Sequence, residues 1–193
     1  MADLQRAELD ERVYTWRGID ALSLEVLRLR QGSSGHVARS HVLVTEPDAL
    51  AFEYEFRLDD AWRSLSLQVN VIGADEKSMR IERAGEGAWR IEGERAPELD
   101  GCDEVDLSIT PFCNTLALRR LGPPPGGEGE ITALYVELPD LIPRRSRQRY
   151  ERVAKHRFRY VDLGVQAGFE SLLTVDADGF VIEYEGLFER VPA

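Results

Sequence analysis

The stretch Leu50–Leu58, LAFEYEFRL, constrains the fold more than any other part of the chain. Apolar side chains occupy every second position and small or charged side chains occupy the positions between them. Such strict period-2 alternation is typical of a β-strand that buries one face. Leu65–Val71 repeats the pattern, and shorter stretches around Met79, Trp89 and Ile131 follow it. The chain therefore consists mainly of strands separated by turns.

Strands at intervals of about ten residues, with Gly- and Pro-rich turns between them, indicate antiparallel pairing. We therefore predict an all-β fold, either an antiparallel many-stranded curved sheet or a β-barrel, with few short helices. Residues 1–193 should form a single β-barrel domain, and the short helices are predicted at residues 3–12 and 144–155. Curling lets the apolar faces of many strands meet. The enclosed volume is then either a cavity lined by aromatic residues or a packed core.

The segment 106–121, DLSITPFCNTLALRRL, combines several different signals. Residues 105–110 alternate as a strand with one buried face, and Pro111 ends the strand because it has no N–H to donate. Asn114 and Thr115 are typical of a turn. Leucines interleaved with Arg119 and Arg120 follow, so two guanidinium groups should lie on a well-anchored segment. Further upstream, residues 21–30 change the parity of their alternation at Leu27, which indicates a β-bulge.

The charge of the chain excludes one broad class of function. The net charge is −11, which argues against binding nucleic acid through its phosphates. Residues 144–159 nevertheless contain eight basic residues and one acidic residue, Glu151. This segment is either a solvated face paired with carboxylates elsewhere or a rim that faces an anion. No stretch resembles a secretory signal or an apolar membrane span, so we expect a cytoplasmic protein without a transmembrane segment.

No recognised catalytic, metal or cofactor motif is found in the sequence. The three histidines and two cysteines do not have metal-site spacing, and Asp176–Gly179 is typical of a hairpin turn rather than a calcium loop. Cys113 is predicted to be an inert buried thiol. Paired carboxylates such as Glu53 and Glu55 fit a solvated outer wall, although acid–base chemistry on a sugar is the alternative. We therefore predict no catalytic residues, no metal and no cofactor.

Several strings resemble a bacterial family named for glycolipid binding. They are 106–121, ITALYVELPDL at 131–141, the pair Gln148 and Tyr150, Phe158 with Tyr160, and the ending at 169–191. The resemblance implies a β-barrel similar to periplasmic lipoprotein carriers and to a mycobacterial lipid-transport lipoprotein. Carried over from the PF-x-NTL segment and its two arginines, Asn114, Arg119 and Arg120 become candidates for motif roles. The family usually has Thr and Pro where this chain has Cys113 and Ala117, which weakens any role for the thiol.

From these observations we predict non-catalytic binding of a lipid or glycolipid-like amphiphile in a β-barrel cavity. Acyl chains would lie against the aromatic strands and a polar or anionic head group near the arginines. The predicted ligand-binding residues are Phe52, Tyr54, Phe56, Leu67, Asn114, Arg119, Arg120, Tyr135, Tyr150 and Tyr160. Two alternatives stay open: an enzyme of glycolipid or sugar metabolism, which needs a buried carboxylate on the inner face, and a protein-interaction module with a filled core. The sequence predicts no particular oligomeric state.

Overall fold

The computed structural model describes residues 10–45, 49–73 and 76–192. Within these residues the strands are Asp10–Gly18 (β1), Ser23–Gly32 (β2), Gly35–Val44 (β3), Leu50–Leu58 (β4), Ser64–Ile72 (β5), Lys77–Gly85 (β6), Ala88–Ile91 (β7), Glu94–Arg95 (β8), Glu104–Leu107 (β9), Glu128–Glu137 (β10), Ile142–Ala154 (β11), Arg157–Asp162 (β12), Glu170–Val175 (β13), Val181–Tyr184 (β14) and Phe188–Arg190 (β15). A 3₁₀ turn spans Pro97–Leu99, and one α-helix, α1, spans Phe112–Leu121. The predicted all-β fold with few short helices is confirmed.

The described strands form a single sheet in the order β8-β7-β6-β5-β4-β3-β2-β1-β15-β14-β13-β12-β11-β10-β9. Pairing is antiparallel throughout, except that β9 runs parallel to β10. β1 pairs with β15, with Trp16 opposite Arg190, which joins the first strands of the chain to the last. The hydrogen-bonded ladder ends at β8 and β9. The sheet is therefore curved and open, and it is not a closed barrel.

Side chains connect the edge strand β9 and the residues before it to β5, β6 and β7. Arg83 on β6 donates to the carbonyl of Ser64 (2.7 Å) and to that of Asp103 (2.6 Å). Glu104 on β9 accepts a hydrogen bond from the Ser64 N–H at 2.8 Å, and the Trp89 indole donates to the Cys102 carbonyl at 3.0 Å. These hydrogen bonds satisfy backbone groups of Ser64, Cys102 and Asp103 beside the open side of the sheet.

Helix α1 fills much of the concave side. Its residues Phe112–Leu118 are all buried, and the Phe112 ring lies 5.9 Å from Phe56 and 6.4 Å from Phe180. The predicted turn at Asn114–Thr115 is wrong, because apolar residues at Phe112, Leu116 and neighbouring positions bury a helical face. Gly122 then ends the helix in the left-handed conformation (φ 51°), where its N–H donates to the Leu118 carbonyl.

The predicted helix at 144–155 is wrong, because these residues belong to β11, paired with β10 and β12. The inward positions of β11 are Ser146, Gln148 and Tyr150. They are polar, so the strand lacks the apolar alternation that would reveal it. Several arginines of the segment pair with carboxylates: Arg144 with Glu137 (3.2 Å), Arg147 with Glu130 (2.8 Å) and Arg149 with Glu151 (3.1 Å). About half of the basic segment is thus paired with carboxylates, and Arg145 and Arg152 donate to backbone carbonyls instead.

Three other predictions can be compared with the structure. The helix predicted at 3–12 lies mostly outside the described residues, and its last residues, Asp10–Arg12, begin β1. The bulge predicted in residues 21–30 is wrong, because β2 pairs in continuous register with β1 and β3. Leu22 and Leu24 are exposed, whereas Glu25 is buried. The hairpin at Asp176–Gly179 is confirmed: the Asp176 carboxylate accepts from the N–H groups of Asp178 and Phe180.

Candidate functional site

A cavity of about 340 Å³ opens at one end of the curved sheet, on its concave side. It lies beside the N-terminal turn of α1, and strands β10, β12 and β14 and the β1–β2 connection contribute to its walls. The lining residues are Asp20, Ala21, Ser23, Val44, Asp106, Leu107, Ser108, Ile109, Thr110, Asn114, Tyr135, Leu138, Tyr160, Asp162, Gln166, Phe169, Tyr184, Leu187 and Phe188. Larger depressions of about 490 and 560 Å³ lie on the outer face, among arginines and glutamates.

Aromatic side chains form one wall of the cavity. Tyr160 on β12 and Tyr184 on β14 pack edge to face, with ring centroids 5.9 Å apart, and Phe169 lies 6.1 Å from Tyr160. Burial raises the pKa of both tyrosines, and it raises the pKa of Tyr135 on β10 to about 12. All three hydroxyls therefore keep their protons at neutral pH. The wall offers flat apolar surface together with hydroxyl groups.

Asp162, at the end of β12, is held in place by the loop that follows it. Its carboxylate accepts hydrogen bonds from the N–H groups of Gly164 (2.7 Å) and Gln166 (3.2 Å). The Tyr160 hydroxyl donates to the other oxygen at 3.1 Å. Such donors fix a carboxylate in one orientation and satisfy it although it is buried. Asp162 therefore presents a preoriented acceptor at the cavity wall.

Asp106, on β9, is connected to α1 through a chain of polar side chains. The Gln148 amide donates to Asp106 at 2.7 Å, and the Tyr150 hydroxyl lies 3.2 Å from the Gln148 oxygen and 3.0 Å from that of Asn114. Burial, with a further contribution from the charge of Asp162, raises the pKa of Asp106 to about 6. Two carboxylates in different environments thus face one cavity.

Glu25 lies behind the cavity, on the inner face of β2, and is 2% exposed. It accepts hydrogen bonds from the Tyr54 hydroxyl and from Ser40 Oγ (2.7 Å). The same Tyr54 hydroxyl lies 3.1 Å from Thr110, which lines the cavity. Burial raises the pKa of Glu25 to about 7, and its Oε2 atom has no hydrogen-bond partner among the described residues. A proton on Glu25 is therefore favoured by its surroundings.

The charge of the lining is one-sided. Asp20, Asp106 and Asp162 belong to it, and it contains no Lys, Arg or His. An anionic head group would therefore be repelled in this cavity. Hydroxyl groups, in contrast, can donate to the carboxylates and accept from the tyrosines and amides, while a sugar face packs against the rings. The arrangement is suited to an uncharged ligand rich in hydroxyls.

Four of the ten predicted ligand-binding residues come together at this cavity. Asn114, Tyr135 and Tyr160 line it, and Tyr150 lies directly behind Asn114. Phe52, Tyr54, Phe56 and Leu67 lie elsewhere, in the packed core, and are at most 3% exposed. These four side chains belong to the same apolar cluster as Phe112 and Leu116 of α1. Tyr54 remains connected to the cavity through Thr110.

The two predicted arginines lie at the other end of α1. The Arg119 guanidinium stacks on the Trp62 ring at 3.9 Å and donates to the Asp178 carbonyl at 2.6 Å. Arg120 lies 3.9 Å from Asp103. Neither lines the cavity, so the structure separates the arginines from the tyrosines that were predicted to share their ligand.

Sequence reasoning missed Asp106, Asp162 and Glu25. Asp106 had the pattern of an outward strand position, but both faces of β9 are covered: Glu104 and Val105, which are consecutive, are 2% and 1% exposed. Glu25 was hidden because the exposed Leu22 and Leu24 suggested the opposite parity. Glu25 lies two and four residues before Leu27 and Leu29 and therefore shares their face of the strand. This shared parity was the signal that could have revealed a buried carboxylate.

The structure also bears on the predictions for Cys113 and for metal binding. Cys113 is buried, and its sulfur accepts from the Leu107 N–H at 3.3 Å. Burial raises the pKa of this thiol, which disfavours the reactive thiolate. Within residues 10–45, 49–73 and 76–192, no group of three or more His, Cys, Asp or Glu side chains is arranged to hold a metal ion.

Comparison with known proteins identifies the family. Residues 13–190 match the family model described as "Putative glycolipid-binding". The chain belongs to this glycolipid-binding family. It is also similar to the crystal structure of a DUF1089 family protein from Pseudomonas aeruginosa, with 30% sequence identity and a TM-score of 0.76 over 99% of this chain and 97% of that one. No curated protein matches the chain. In the described part of the chain, no helix has the length and apolar character needed to cross a membrane.

Proposed function

We propose that this member of the glycolipid-binding family binds the uncharged, hydroxyl-rich head group of a glycolipid in the cavity beside α1. The observation that carries the proposal is the lining, in which carboxylates, tyrosine hydroxyls and aromatic rings occur together and basic side chains do not. Carbohydrates present both hydroxyl donors and apolar ring faces, and this lining complements both. The family name supports an amphiphilic ligand in general.

The volume of the cavity limits how much of the ligand it can hold. A volume of about 340 Å³ corresponds to roughly eleven water molecules at about 30 Å³ each. It is at the small end of ligand pockets, which span about 300–1,000 Å³. One sugar ring with a short linker suits this space, and the acyl chains of a membrane lipid do not fit beside it.

The test is calorimetric titration with an uncharged alkyl glycoside and with a glycerol phosphate ester of similar size. We expect the glycoside to bind and the anion not to bind. Asp106→Asn and Asp162→Asn should each weaken glycoside binding about 10- to 100-fold, the range for one hydrogen bond to a charged group. Asp60→Asn, at an exposed loop position, is the matched control. Equal affinity of the variants and the wild-type protein, or preference for the anion, would overturn the proposal.

A second function, hydrolysis of a glycoside, is favoured by one observation. It requires a buried carboxylate on the inner face. Glu25 and Asp162 are buried and Asp106 is partly buried, and none of the three has an arginine partner among the described ion pairs. Carboxylates in different environments can divide the acid and base roles. The discriminating experiment is mass spectrometry of a glycolipid after incubation with the protein. Intact ligand supports binding alone; release of the sugar that Asp106→Asn abolishes supports the hydrolase.

A further inference from the structure

The proposed head-group site leaves the acyl chains of the ligand outside the protein. The concave interior is occupied by α1, and Phe56, Phe112 and Leu116 are 0%, 0% and 1% exposed. These three side chains belong to one packed apolar cluster. The lipid portion therefore has to leave through the mouth of the cavity, and what surrounds that mouth becomes important. This inference rests on the proposed function.

Exposed aliphatic side chains are concentrated at the end of the sheet where the cavity opens. Six of the ten large hydrophobic residues exposed in the described chain lie at this end of the sheet: Ile19, Leu22, Leu24, Leu43, Ile72 and Ile142. We call these six residues the apolar rim. Their exposed fractions run from 40% for Ile142 to 63% for Leu22. Scattered exposed leucines are ordinary on a protein surface, whereas a concentration at one end marks an interaction surface.

The register of the strands places the rim beside the cavity. Ile19 and Leu22 flank Asp20 and Ala21, which line the cavity. Leu24 pairs with Leu43 across β2 and β3, one position from the cavity-lining pair of Ser23 and Val44. Because neighbouring strand positions face opposite ways, Leu24 and Leu43 lie on the outer face of the same end of the sheet.

The remaining two members extend the rim in both directions. Leu43 pairs with Ala51, which pairs with Ile72, so an apolar row crosses four strands. Ile142 begins β11, just after the turn that contains the cavity-lining Leu138.

The charges around the rim distinguish between kinds of lipid surface. Three nearby basic side chains are paired with carboxylates: Arg17 with Glu189 at 2.6 Å, Lys77 with Asp140 at 3.4 Å and Arg144 with Glu137 at 3.2 Å. Arg145 donates to the Asp100 carbonyl. Asp20, at the mouth, adds negative charge, and the whole chain carries −11. Anionic lipids attract basic patches, and this rim offers none in the described residues. The rim therefore complements a lipid surface with an apolar acyl interior and uncharged head groups.

We propose that the apolar rim docks the protein onto the surface of a bilayer that contains uncharged glycolipids. The aliphatic side chains enter the boundary between head groups and acyl chains, and the cavity takes one sugar head group while its acyl chains stay in the bilayer. The gain comes from apolar side chains that leave water. Binding to the bilayer and binding of the head group then support each other through effective concentration.

The test is co-flotation with phosphatidylcholine vesicles that contain an uncharged galactolipid. The wild-type protein should float with them, and replacing part of the phosphatidylcholine by phosphatidylglycerol should weaken binding. The double variant Leu22→Asp/Leu43→Asp should lose at least about tenfold in vesicle affinity, because two aliphatic contacts become charged. Leu65→Asp/Val153→Asp changes two residues exposed to a similar degree, 44% and 49%, away from the mouth. This control should float like the wild-type protein.

A parallel titration with a soluble alkyl glycoside separates failure of docking from failure of the head-group site. The rim variant should keep its glycoside affinity and its thermal unfolding temperature. Docking is overturned if the rim variant floats normally, if the control variant loses binding equally, or if light scattering shows that the rim holds two copies of the chain together. If wild-type and Asp106→Asn proteins bind the glycoside equally, the head-group site itself fails, whatever the flotation result.

Discussion

The two halves of the inner surface differ in chemistry although they are built from the same antiparallel pattern. On β2 to β6 the inward positions are mostly apolar, with Leu27, Phe56 and Leu67 each 0% exposed. On β11 to β14 they include Gln148, Tyr160 and Tyr184, beside the carboxylates of the cavity. The first half is filled by packing against α1, and the second half retains open space. Period-2 alternation therefore indicates which face of a strand is buried. The chemistry of the inward side chains indicates whether that face packs against a core or lines an open cavity.

Helix α1 lies between the two halves and contacts both. Phe112 and Leu116 belong to the apolar cluster of the first half, and Ala117 and Leu118 belong to the smaller cluster around the tyrosines. Asn114 joins the second half through Tyr150. One helix therefore closes the core on one side and contributes a polar group to the cavity on the other.

The largest expected effect is the loss of a packed aromatic residue in the first half. Phe56→Ala should lower the free energy of unfolding by about 3–5 kcal/mol, because it removes a fully buried ring and leaves a void. Glycoside affinity of the folded variant should not change. Phe188→Ala, a partly buried ring at the cavity, should show the reverse: a smaller stability loss and weaker binding. Urea denaturation and calorimetry measure both, and equal effects on binding would mean that the halves are not independent.

The next effect concerns Glu25 and pH. Its folded-state pKa of about 7 lies above the ordinary value of 4.5. The stability that its proton contributes is fully present below about pH 4.5 and is lost as the pH rises through about 7.

Glu25→Gln removes this loss. Relative to wild type, the variant should therefore gain roughly 3 kcal/mol between about pH 4.5 and pH 7–8, at about 1.4 kcal/mol per pKa unit. Denaturation at several pH values measures it. Glu183→Gln, an exposed carboxylate on β14, is the control, and the same gain in this control would refute the assignment to Glu25.

A smaller effect is expected on binding in the second half. Since burial raises the pKa of Asp106 to about 6, lowering the pH through this value protonates an acceptor for ligand hydroxyls. Glycoside affinity should fall up to about tenfold from neutral pH to about pH 5, one unit below this pKa. Asp106→Asn should bind more weakly and without this dependence. Rising affinity at low pH would show that protonated Asp106 acts as the donor instead.

The smallest effect is expected on the outer face, which belongs to neither half of the interior. Arg147→Ala breaks an ion pair with Glu130 whose side chains are 63% and 45% exposed. Exposed pairs contribute at most about 1 kcal/mol, so thermal unfolding should shift by only a few degrees. Ligand affinity should be unchanged. A large loss of ligand affinity would show that the basic segment, residues 144–159, takes part in ligand binding.

The sequence predicted the strands best where inward positions were apolar. The nine residues of β4 were placed without error, because Phe52 and Phe56 alternate with charged residues. The sequence wrongly predicts a helix at β11, because the inward Ser146 and Gln148 are polar like the outward residues and no apolar alternation results. The site was predicted in part for the same reason: Tyr135, Tyr150 and Tyr160 stood out as aromatic residues, but Asp106 and Asp162 resembled any solvated carboxylate.

By itself the sequence determined the all-β architecture, the excess of negative charge and the kinship with the glycolipid-binding family. Each depends on local pattern or composition, which the chain carries at every position. Only the tertiary structure decided that the sheet stays open, that α1 fills the space between its apolar faces, and that three aspartates meet three tyrosines at one end. These features depend on contacts between residues distant in the chain, such as Asp106 with Gln148, and no local pattern encodes which distant partners meet.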